Sequence, residues 1–352
     1  MLSFPRRRES RQDYHLPPYK INLMDPRLRG DDEHQIMNHI SVLKDETINQ
    51  FNYLKDKGGV FVDGTLGLAG HSVAILNNQN TAASLKIIGI DADESALDRA
   101  KKIIFKRGFV ENFILVHNNF KNIKSILAEL NIEKIDGGLL DLGVSSMQFD
   151  TKERGFSFQD PDQPLDMRMD TNQKLTTAMV LNSYPAEKIT KILYEYGEER
   201  FASRIIKNIV EARKKSPIAK VGDLLDVLEI SIPKFFQKRS KIHFATKTFQ
   251  ALRIEVNGEL SGLDEAIKDF VSVLKPGAKL AIISFHSLED RIVKQTFHNL
   301  ANPCHCPPKM PCVCNLKPSV KILTKKPIIP SESEISTNPR SRSAKLRVIE
   351  KI

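Results

Sequence analysis

The stretch DGTLGLAGHS runs from Asp63 to Ser72 and directly follows the short apolar run Val60–Val62. Its glycines lack a Cβ where a strand must turn sharply into a helix, so backbone N–H groups and the positive helix N-terminus can face a ligand. A second apolar run, residues 87–90, ends on Asp91, where a carboxylate can accept hydrogen bonds from both hydroxyls of a ribose. A glycine-rich turn alone is typical of any tight loop, but together the two features predict a site for a nucleotide-type cofactor.

The spacing of this turn distinguishes two classes of cofactor. A dinucleotide fingerprint reads G-x-G-x-x-G, whereas this turn reads G-x-x-G-x-x-G and is preceded by Asp63. A carboxylate at that position would repel a pyrophosphate but suits the ammonium and sulfonium groups of S-adenosylmethionine. We therefore expect a methyl donor rather than NAD.

The composition limits the class of protein. In 352 residues, 53 Lys and Arg exceed 43 Asp and Glu, giving a formal net charge of +10. The excess is concentrated after residue 302, which favours a polyanionic partner over the alternative of a generic basic surface. No stretch approaches the length of a membrane span and the N-terminus lacks an apolar signal core, so we expect a cytoplasmic protein.

Downstream of Asp91, helical and strand patterns alternate. The run Glu94 to Arg107 carries an apolar stripe at helical spacing, and strands are predicted at residues 113–116 and 135–142. Short strands that alternate with helices predict a parallel sheet, whose ligands bind at the carboxyl ends of the strands. Asp141 ends the fourth strand, so we expect it at the same edge as the glycine-rich turn.

A helical stretch interrupts this alternation. Amphipathic helices are predicted at residues 184–214 and 221–236 with no strand between them, which indicates an inserted helical domain. The alternation then resumes, with predicted elements at 248–274 (helix), 279–285 (strand), 287–300 (helix) and two late apolar runs, 320–323 and 346–349, expected to pair as an antiparallel ribbon.

Asp141 and Ser145 are the candidate catalytic residues. The lone pair of an exocyclic base nitrogen is delocalised into the ring, and hydrogen bonds from the amino group to a carboxylate favour the form that can attack a methyl donor. The alternatives are that Asp141 only caps a turn or contacts the cofactor, and that Ser145 only caps the next helix.

Basic and aromatic side chains are the candidate substrate contacts. In the glycine-containing loop 154–170, a lid candidate, Phe156 and Phe158 can stack on a base and Arg168 can pair with phosphate, although packing explains the aromatics equally well. His286 is either a substrate contact or a structural hydrogen-bonding group at a helix start. The tail residues Arg340, Arg342, Lys345 and Arg347 are expected to grip the phosphate backbone; the alternative is that they anchor the terminal ribbon.

All four cysteines lie close together, at Cys304, Cys306, Cys312 and Cys314. Four thiols at this spacing can form a tetrahedral zinc site, although C-x-C pairs are less typical of zinc sites than C-x-x-C. A reduced, metal-free loop is the alternative. No metal ligand is assigned from the sequence.

From Met37 to its end, the chain resembles the MraW/RsmH family of bacterial 16S rRNA (cytosine-N4)-methyltransferases. The resemblance is carried by several motifs: Asp63 to Ser72, Leu140 to Ser146, Arg154 to Phe158, Pro164 to Asp170, Tyr196 to Phe201, Thr248 to Ile254, Ser284 to Arg291 and Asn338 to Ser343. It implies a class I S-adenosylmethionine-dependent methyltransferase (Rossmann-like) α/β fold with an inserted helical domain. The cofactor contacts that it implies are Ala69, Gly70, His71, Asp91, Phe120, Asp141 and Gln148.

Together with the sequence patterns, the resemblance gives an expected division into domains and an expected reaction. We expect a disordered extension (1–36), the first part of the methyltransferase domain (37–150), a helical substrate-recognition domain (151–245) and the second part with a basic tail (246–352). The expected reaction is methylation of N4 of a decoding-site cytidine. The expected partner is 16S rRNA or the small ribosomal subunit, with no membrane partner; a weak homodimer is left open as an alternative to a monomer. Ala69 stands where the family usually has glycine and narrows the turn, which puts cofactor affinity in question.

Two other functions compete with this expectation. DNA amino-methyltransferases carry a D/S-P-P-Y/F tetrapeptide after the fourth strand, whereas this chain reads Asp141-Leu142-Gly143-Val144. A non-catalytic S-adenosylmethionine-binding RNA or ribosome assembly factor is the second alternative, and the polar turns at three strand ends argue against it.

Overall fold

The computed structural model describes residues 41–80, 85–143, 154–240, 242–307 and 313–352. Within these residues, seven strands form one sheet in the order β3-β2-β1-β4-β5-β7-β6. The strands are β1 (Gly59–Asp63), β2 (Leu85–Asp91), β3 (Phe113–His117), β4 (Ile135–Asp141), β5 (Leu274–Ser284), β6 (Val320–Ile322) and β7 (Lys345–Lys351).

The first five strands are parallel, as the alternating pattern predicted. The strand order reverses beside β1, which lies between β2 and β4, and this is where open α/β sheets bind ligands. The two late apolar runs do pair antiparallel, with Ile322 opposite Ile349. They do not form a separate ribbon, because β7 also pairs antiparallel with β5 and extends the same sheet.

Helices cover both faces of the sheet. They are α1 (Lys44–Gln50), α2 (Gly70–Asn77), α3 (Glu94–Lys106), α4 (Ile123–Glu129), α5 (Thr177–Ser183), α6 (Ala186–Glu195), α7 (Ala202–Lys215), α8 (Val221–Ser231), α9 (Lys234–Arg239), α10 (Thr246–Asn257), α11 (Leu263–Val273), α12 (Ser287–Ala301) and α13 (Glu332–Thr337). Neighbouring strand residues pack into opposite layers: Ile87 belongs to the apolar cluster with α2 and α3, and Ile88 to the cluster with α4, α11 and α12. Side chains alternate along a strand, so a sheet that is covered on both faces buries both sets. The doubly wound, Rossmann-like α/β class is therefore confirmed.

Helices α5 to α8 and α10 pack around an apolar cluster of their own, which includes Leu193, Ile205, Leu224 and Leu252. A core built from helices without strands fits the expected helical insertion. The expected boundary near residue 150 lies outside the described residues, so the division into domains stays a prediction.

Three predicted helices are interrupted. The expected helix 184–214 is divided between α6 and α7, where Glu198 has a φ of 46°, and the expected helix 221–236 is divided at Pro233. The expected helix 248–274 is wrong as one element, because Gly258 and Gly262 adopt left-handed φ values of 57° and 68° between α10 and α11. Glycine adopts this conformation without a Cβ clash, so the chain turns there instead of continuing.

Among the described residues, no helix combines the length and the apolar character that crossing a membrane requires.

Candidate active site

A cavity of about 400 Å³ opens at the carboxyl edge of the parallel strands. Its lining includes Gly64, Thr65, Leu66, Gly67, Leu68, Gly70 and His71 from the turn after β1, Asp91 and Asp141 from the ends of β2 and β4, and Phe120 after β3. Parallel strands end at one edge, so residues that are far apart in sequence meet there. The volume lies within the range of small-molecule sites.

The glycine-rich turn is held by the carboxylate that precedes it. Asp63 Oδ2 accepts a 2.6 Å hydrogen bond from Ser72 Oγ, and Oδ1 accepts one from the backbone N–H of Thr65 at 3.2 Å. Burial raises the pKa of Asp63 to about 6. Asp63 is not part of the cavity lining, so the expectation that it faces the cationic groups of the donor is not supported. Its role here is to fix the turn.

Ala69 begins α2 with a φ of 60°, a left-handed value that glycine adopts more readily. The residue is fully buried and belongs to the apolar cluster under the turn. Ala69 is absent from the cavity lining, whereas its neighbour Gly70 is part of it. Its methyl group therefore packs into the core, and the narrowing expected from the sequence does not reach the cavity.

The carboxylate of Asp91 lines the cavity, and only part of its hydrogen-bonding capacity is taken by the backbone. Oδ2 accepts a 2.8 Å hydrogen bond from the N–H of Gly67, and Oδ1 accepts a 2.9 Å bond from the N–H of Asp93. An ionised carboxylate offers about four acceptor positions, so about two remain for a ligand. Burial raises the pKa of Asp91 to about 6.

Asp141 has a buried oxygen that no described residue satisfies: Oδ1 lacks a hydrogen-bond partner. Its Oδ2 lies 3.7 Å from His71 Nδ1. The other ring nitrogen, Nε2, lies 2.9 Å from the carbonyl oxygen of Val42, a contact that requires a proton on Nε2. Burial, together with the charges of Asp63 and Glu289, raises the pKa of Asp141 well above its ordinary value. A buried, unsatisfied carboxylate oxygen is suited to a cationic or N–H-bearing ligand.

Several charged residues of the cavity lining were not predicted as site residues. Arg253 of α10 forms a bidentate ion pair with Glu259, with both N–O distances at 2.8 Å, and both residues line the cavity. Glu289 and Lys121 also line it, and Lys121 Nζ donates to the carbonyl oxygen of Gly258 at 2.8 Å. The two glycines that interrupt the expected helix 248–274 were the available sequence signal for this part of the lining.

The described part of the lid candidate, 154–170, is fastened to its surroundings. Arg154 Nη1 pairs with Asp93 Oδ2 at 2.7 Å, while Asn257 Oδ1 accepts from the N–H of Met169 at 2.7 Å. Met169 also lines the cavity. The loop therefore forms a hydrogen-bonded wall beside the strand ends.

The two aromatic residues of this loop support the packing alternative. Phe156 is buried in the core of the helical layer. Phe158 stacks on His243 with ring centroids 4.3 Å apart and meets the edge of Phe249.

Two of the candidate substrate contacts, Arg168 and His286, are already occupied by contacts within the protein. Arg168 donates to Asp166 and to the carbonyl oxygens of Thr171 and Gln173, so its guanidinium holds the loop. His286 is the N-cap of α12, where Nδ1 accepts from the N–H of Glu289, and it does not line the cavity. These contacts correspond to structural roles and give the substrate roles no support.

The basic residues of the tail fall into two groups, those at the cavity or exposed and those held in ion pairs. Arg340 lines the cavity, and Arg342 is exposed on the same turn, Pro339–Ser343. Arg347 is buried and forms a 2.6 Å ion pair with Asp290, which also accepts from Lys345 at 3.2 Å. These ion pairs support the anchoring alternative for Lys345 and Arg347, because both residues join β7 to α12.

The structure thus brings together five of the expected cofactor contacts in the cavity lining: Gly70, His71, Asp91, Phe120 and Asp141. Ala69 lies behind the turn. Gln148 and the candidate catalytic Ser145 lie outside the described residues.

Known proteins resemble the chain over most of its length. The model of the MraW methylase family matches residues 36–352. A Clostridium botulinum protein named ribosomal RNA small subunit methyltransferase H is 52% identical over 315 residues, which cover 89% of this chain and 99% of that protein. A protein of the same name from Carboxydothermus hydrogenoformans is 48% identical and covers 89% of this chain and 98% of its own length.

Solved structures superpose only weakly on this chain. An rRNA methylase from Streptococcus thermophilus matches with a TM-score of 0.39 and 11% identity, over 89% of this chain and 99% of that one. Because this superposition is weak, the fold assignment is based on the sheet topology described above.

Proposed function

The chain belongs to the MraW methylase family and uses S-adenosylmethionine as its methyl donor, and we propose that the acceptor is N4 of a decoding-site cytidine in 16S rRNA. The observation that carries this proposal is the buried Asp141 Oδ1, unsatisfied by any described residue and located in the cavity where β4 ends. A base amino group carries the N–H donors that such an oxygen lacks.

The residues of the cavity fit the donor. Asp91 retains about two acceptor positions after its two backbone hydrogen bonds, one for each ribose hydroxyl. Phe120 offers an apolar ring beside the same strand ends. Asp91 and Asp141 place carboxylates in a lining that also contains Lys121, Arg253 and Arg340, and these two carboxylates suit a cationic ligand. The bound donor supplies a methyl group activated by its positively charged sulfur.

Asp141 is the residue to which we assign the proton chemistry. Its carboxylate accepts a hydrogen bond from the acceptor amino group and so localises the nitrogen lone pair for attack. The raised pKa of Asp141 makes it a better acceptor for the proton that the nitrogen loses. Contact with the ammonium of the donor is the alternative role. Ser145 stays a sequence-based candidate beside it.

A basic and aromatic surface of the helical layer supports RNA as the substrate. Phe235 and Phe236 are exposed by 62% and 41%. The guanidinium of Arg239 lies 5.4 Å from the ring centre of Phe235, and that of Arg200 lies 5.3 Å from the ring centre of Phe236. Exposed rings flanked by arginines suit the stacking of unpaired bases and contact with their phosphates.

This surface is joined to the cavity side of the sheet. Glu198, two residues before Arg200, contacts Arg291 at 3.1 Å and Ser287 at 3.3 Å. Ser287 begins α12, two residues after the cavity-lining Phe285. A strand of RNA that enters the cavity therefore has this surface within reach.

Variants of this surface test the RNA contact. Replacing Phe235 and Phe236 with alanine is expected to lower rRNA affinity at least tenfold, since base stacking contributes about 1–3 kcal/mol per base. Phe105→Ala on α3 is the matched control, because Phe105 is 59% exposed but lies on the α/β part. Equal RNA affinity of the double variant and the control would exclude the stacking role.

The choice of acceptor is tested with labelled donor. We expect methyl incorporation into small subunits or 16S rRNA and none into duplex DNA. Incorporation into DNA alone would support an amino-methyltransferase of DNA, and binding of donor and RNA without transfer would support an assembly factor. The family and the names of the relatives favour neither alternative. We propose that the protein acts on rRNA in the cytoplasm, and a weak homodimer stays a sequence-based expectation.

A further inference from the structure

Three cysteine side chains converge in the segment between α12 and β6. The Sγ atoms of Cys304, Cys306 and Cys314 all lie within 4.8 Å of one another. The backbone N–H of Val313 points at Cys306 Sγ at 3.4 Å. Amide donors of this kind stabilise sulfur ligands around a metal. The cluster therefore has the form of a metal site and not of unrelated thiols.

The donor set selects the metal. Zinc binds thiolates tetrahedrally at about 2.3 Å, which places neighbouring sulfurs about 3.8 Å apart. The observed limit of 4.8 Å requires adjustments of an ångström or less from the side chains. Soft thiolate ligands favour zinc over the hard, oxygen-binding magnesium and calcium.

The charge of the surrounding sequence suits a zinc–thiolate centre. Between residues 302 and 331 the sequence contains five lysines, Lys309, Lys317, Lys321, Lys325 and Lys326, and no aspartate or glutamate. A positively charged segment offsets the negative charge of zinc-bound thiolates.

The cluster lies at the edge of the sheet opposite the cavity. Helix α12 starts beside the carboxyl end of β5 and runs to Ala301. Strand β6 begins at Val320 opposite Lys351, while Lys279 near the start of the parallel part of β5 pairs with Glu350. The N–H of Ser319 donates to the carbonyl oxygen of Leu300 at 3.0 Å and closes the base of the segment. A metal there is remote from the methyl-transfer site.

We propose that Cys304, Cys306 and Cys314 bind a structural Zn²⁺ ion that closes the segment between α12 and β6. The ion would fasten a long connection that otherwise has little regular structure in its described part. Metal binding of this type contributes directly to the stability of the folded state. Cys312 lies outside the described residues and carries no part of the inference.

Metal analysis of the full-length chain tests the proposal. We expect about one zinc per chain in protein that has been reduced, incubated with Zn²⁺ and desalted. The double variant Cys304→Ser/Cys306→Ser is expected to lose this zinc. His298→Ala is the matched control, because it removes an exposed metal-binding side chain of α12 outside the cluster and should leave zinc content unchanged.

A second measurement applies even if the double variant does not fold. Substitution of Co²⁺ in the wild-type chain should give the sulfur-to-cobalt charge-transfer band and the visible bands of a tetrahedral site. Removing the metal should lower the thermal midpoint by several degrees and change kcat less than twofold. Reduced wild-type protein that retains no zinc, or cobalt spectra without a sulfur band, would overturn the proposal. Loss of methyl transfer at an unchanged thermal midpoint would overturn the structural role.

Discussion

Replacing Asp91 with asparagine is expected to weaken S-adenosylmethionine binding ten- to a hundredfold. The carboxylate already accepts from the backbone N–H groups of Gly67 and Asp93, which leaves about two acceptor positions for the ribose. Asparagine keeps one side-chain oxygen and replaces the other with an NH2 group, which donates hydrogen bonds and does not accept them. Loss of a charge-assisted hydrogen bond costs about 1.5–3 kcal/mol, which corresponds to that change in Kd.

Asparagine is a better probe than alanine. Asp91→Ala is also expected to abolish methyl transfer, but it leaves the N–H groups of both Gly67 and Asp93 without an acceptor, whereas asparagine keeps an oxygen for one of them, so alanine weakens the turn more. The change would then alter folding as well as binding. The thermal midpoint of each variant, measured without donor, separates the two effects.

Calorimetric titration with donor at pH 8 is the assay, because Asp91, with a pKa of about 6, is ionised there. Asp98→Asn is the matched control: it removes a carboxylate from the exposed side of α3, outside the cavity lining. The control should bind as the wild type does. If Asp91→Asn also keeps the wild-type Kd, the assignment of this carboxylate to the ribose is refuted.

Four further predictions concern the titrating groups of the cavity and the basic residues of the tail. Donor affinity should fall as pH is lowered through about 6, since only ionised Asp91 accepts both hydroxyls, and calorimetry from pH 5 to 8 should show no such fall for Asp91→Asn. Asp141→Asn should lower kcat by about a hundredfold or more. If donor Kd rises in parallel while single-turnover chemistry is normal, Asp141 serves the donor instead. Arg340→Ala should weaken RNA binding and flatten its salt dependence. Arg347→Ala should instead lower stability by about 1.5–3 kcal/mol in denaturant titrations, because Asp290 loses one of its two cationic partners; the reverse pattern would contradict both roles.

The strand ends were predictable because their signals are local. Apolar runs that stop at Asp91 and Asp141 define both the sheet and its ligand-binding edge, and parallel topology then brings the ends together. The resemblance to the family supplied contacts such as Phe120, which no local pattern assigns.

The residues that were missed depend on distant contacts. Arg253 lies on a helix that looks continuous from its apolar spacing, and it meets Glu259 only because the chain turns at Gly258. Arg347 was interpreted as a phosphate contact from charge alone, but its partner Asp290 is 57 positions away in the sequence. Net charge indicates attraction to polyanions and does not show which cations are already paired.

Nucleoside analysis of 16S rRNA tests the assigned reaction most directly. Small subunits that lack the modification are incubated with the full-length chain and S-adenosylmethionine, and the decoding-site fragment is digested and analysed by mass spectrometry. We predict one new methyl group, on N4 of a cytidine, which Asp141→Asn at equal concentration does not form in the same time. A methyl group on a ring carbon, on another base or on ribose, or an unmodified cytidine despite measured donor binding, would contradict the assignment.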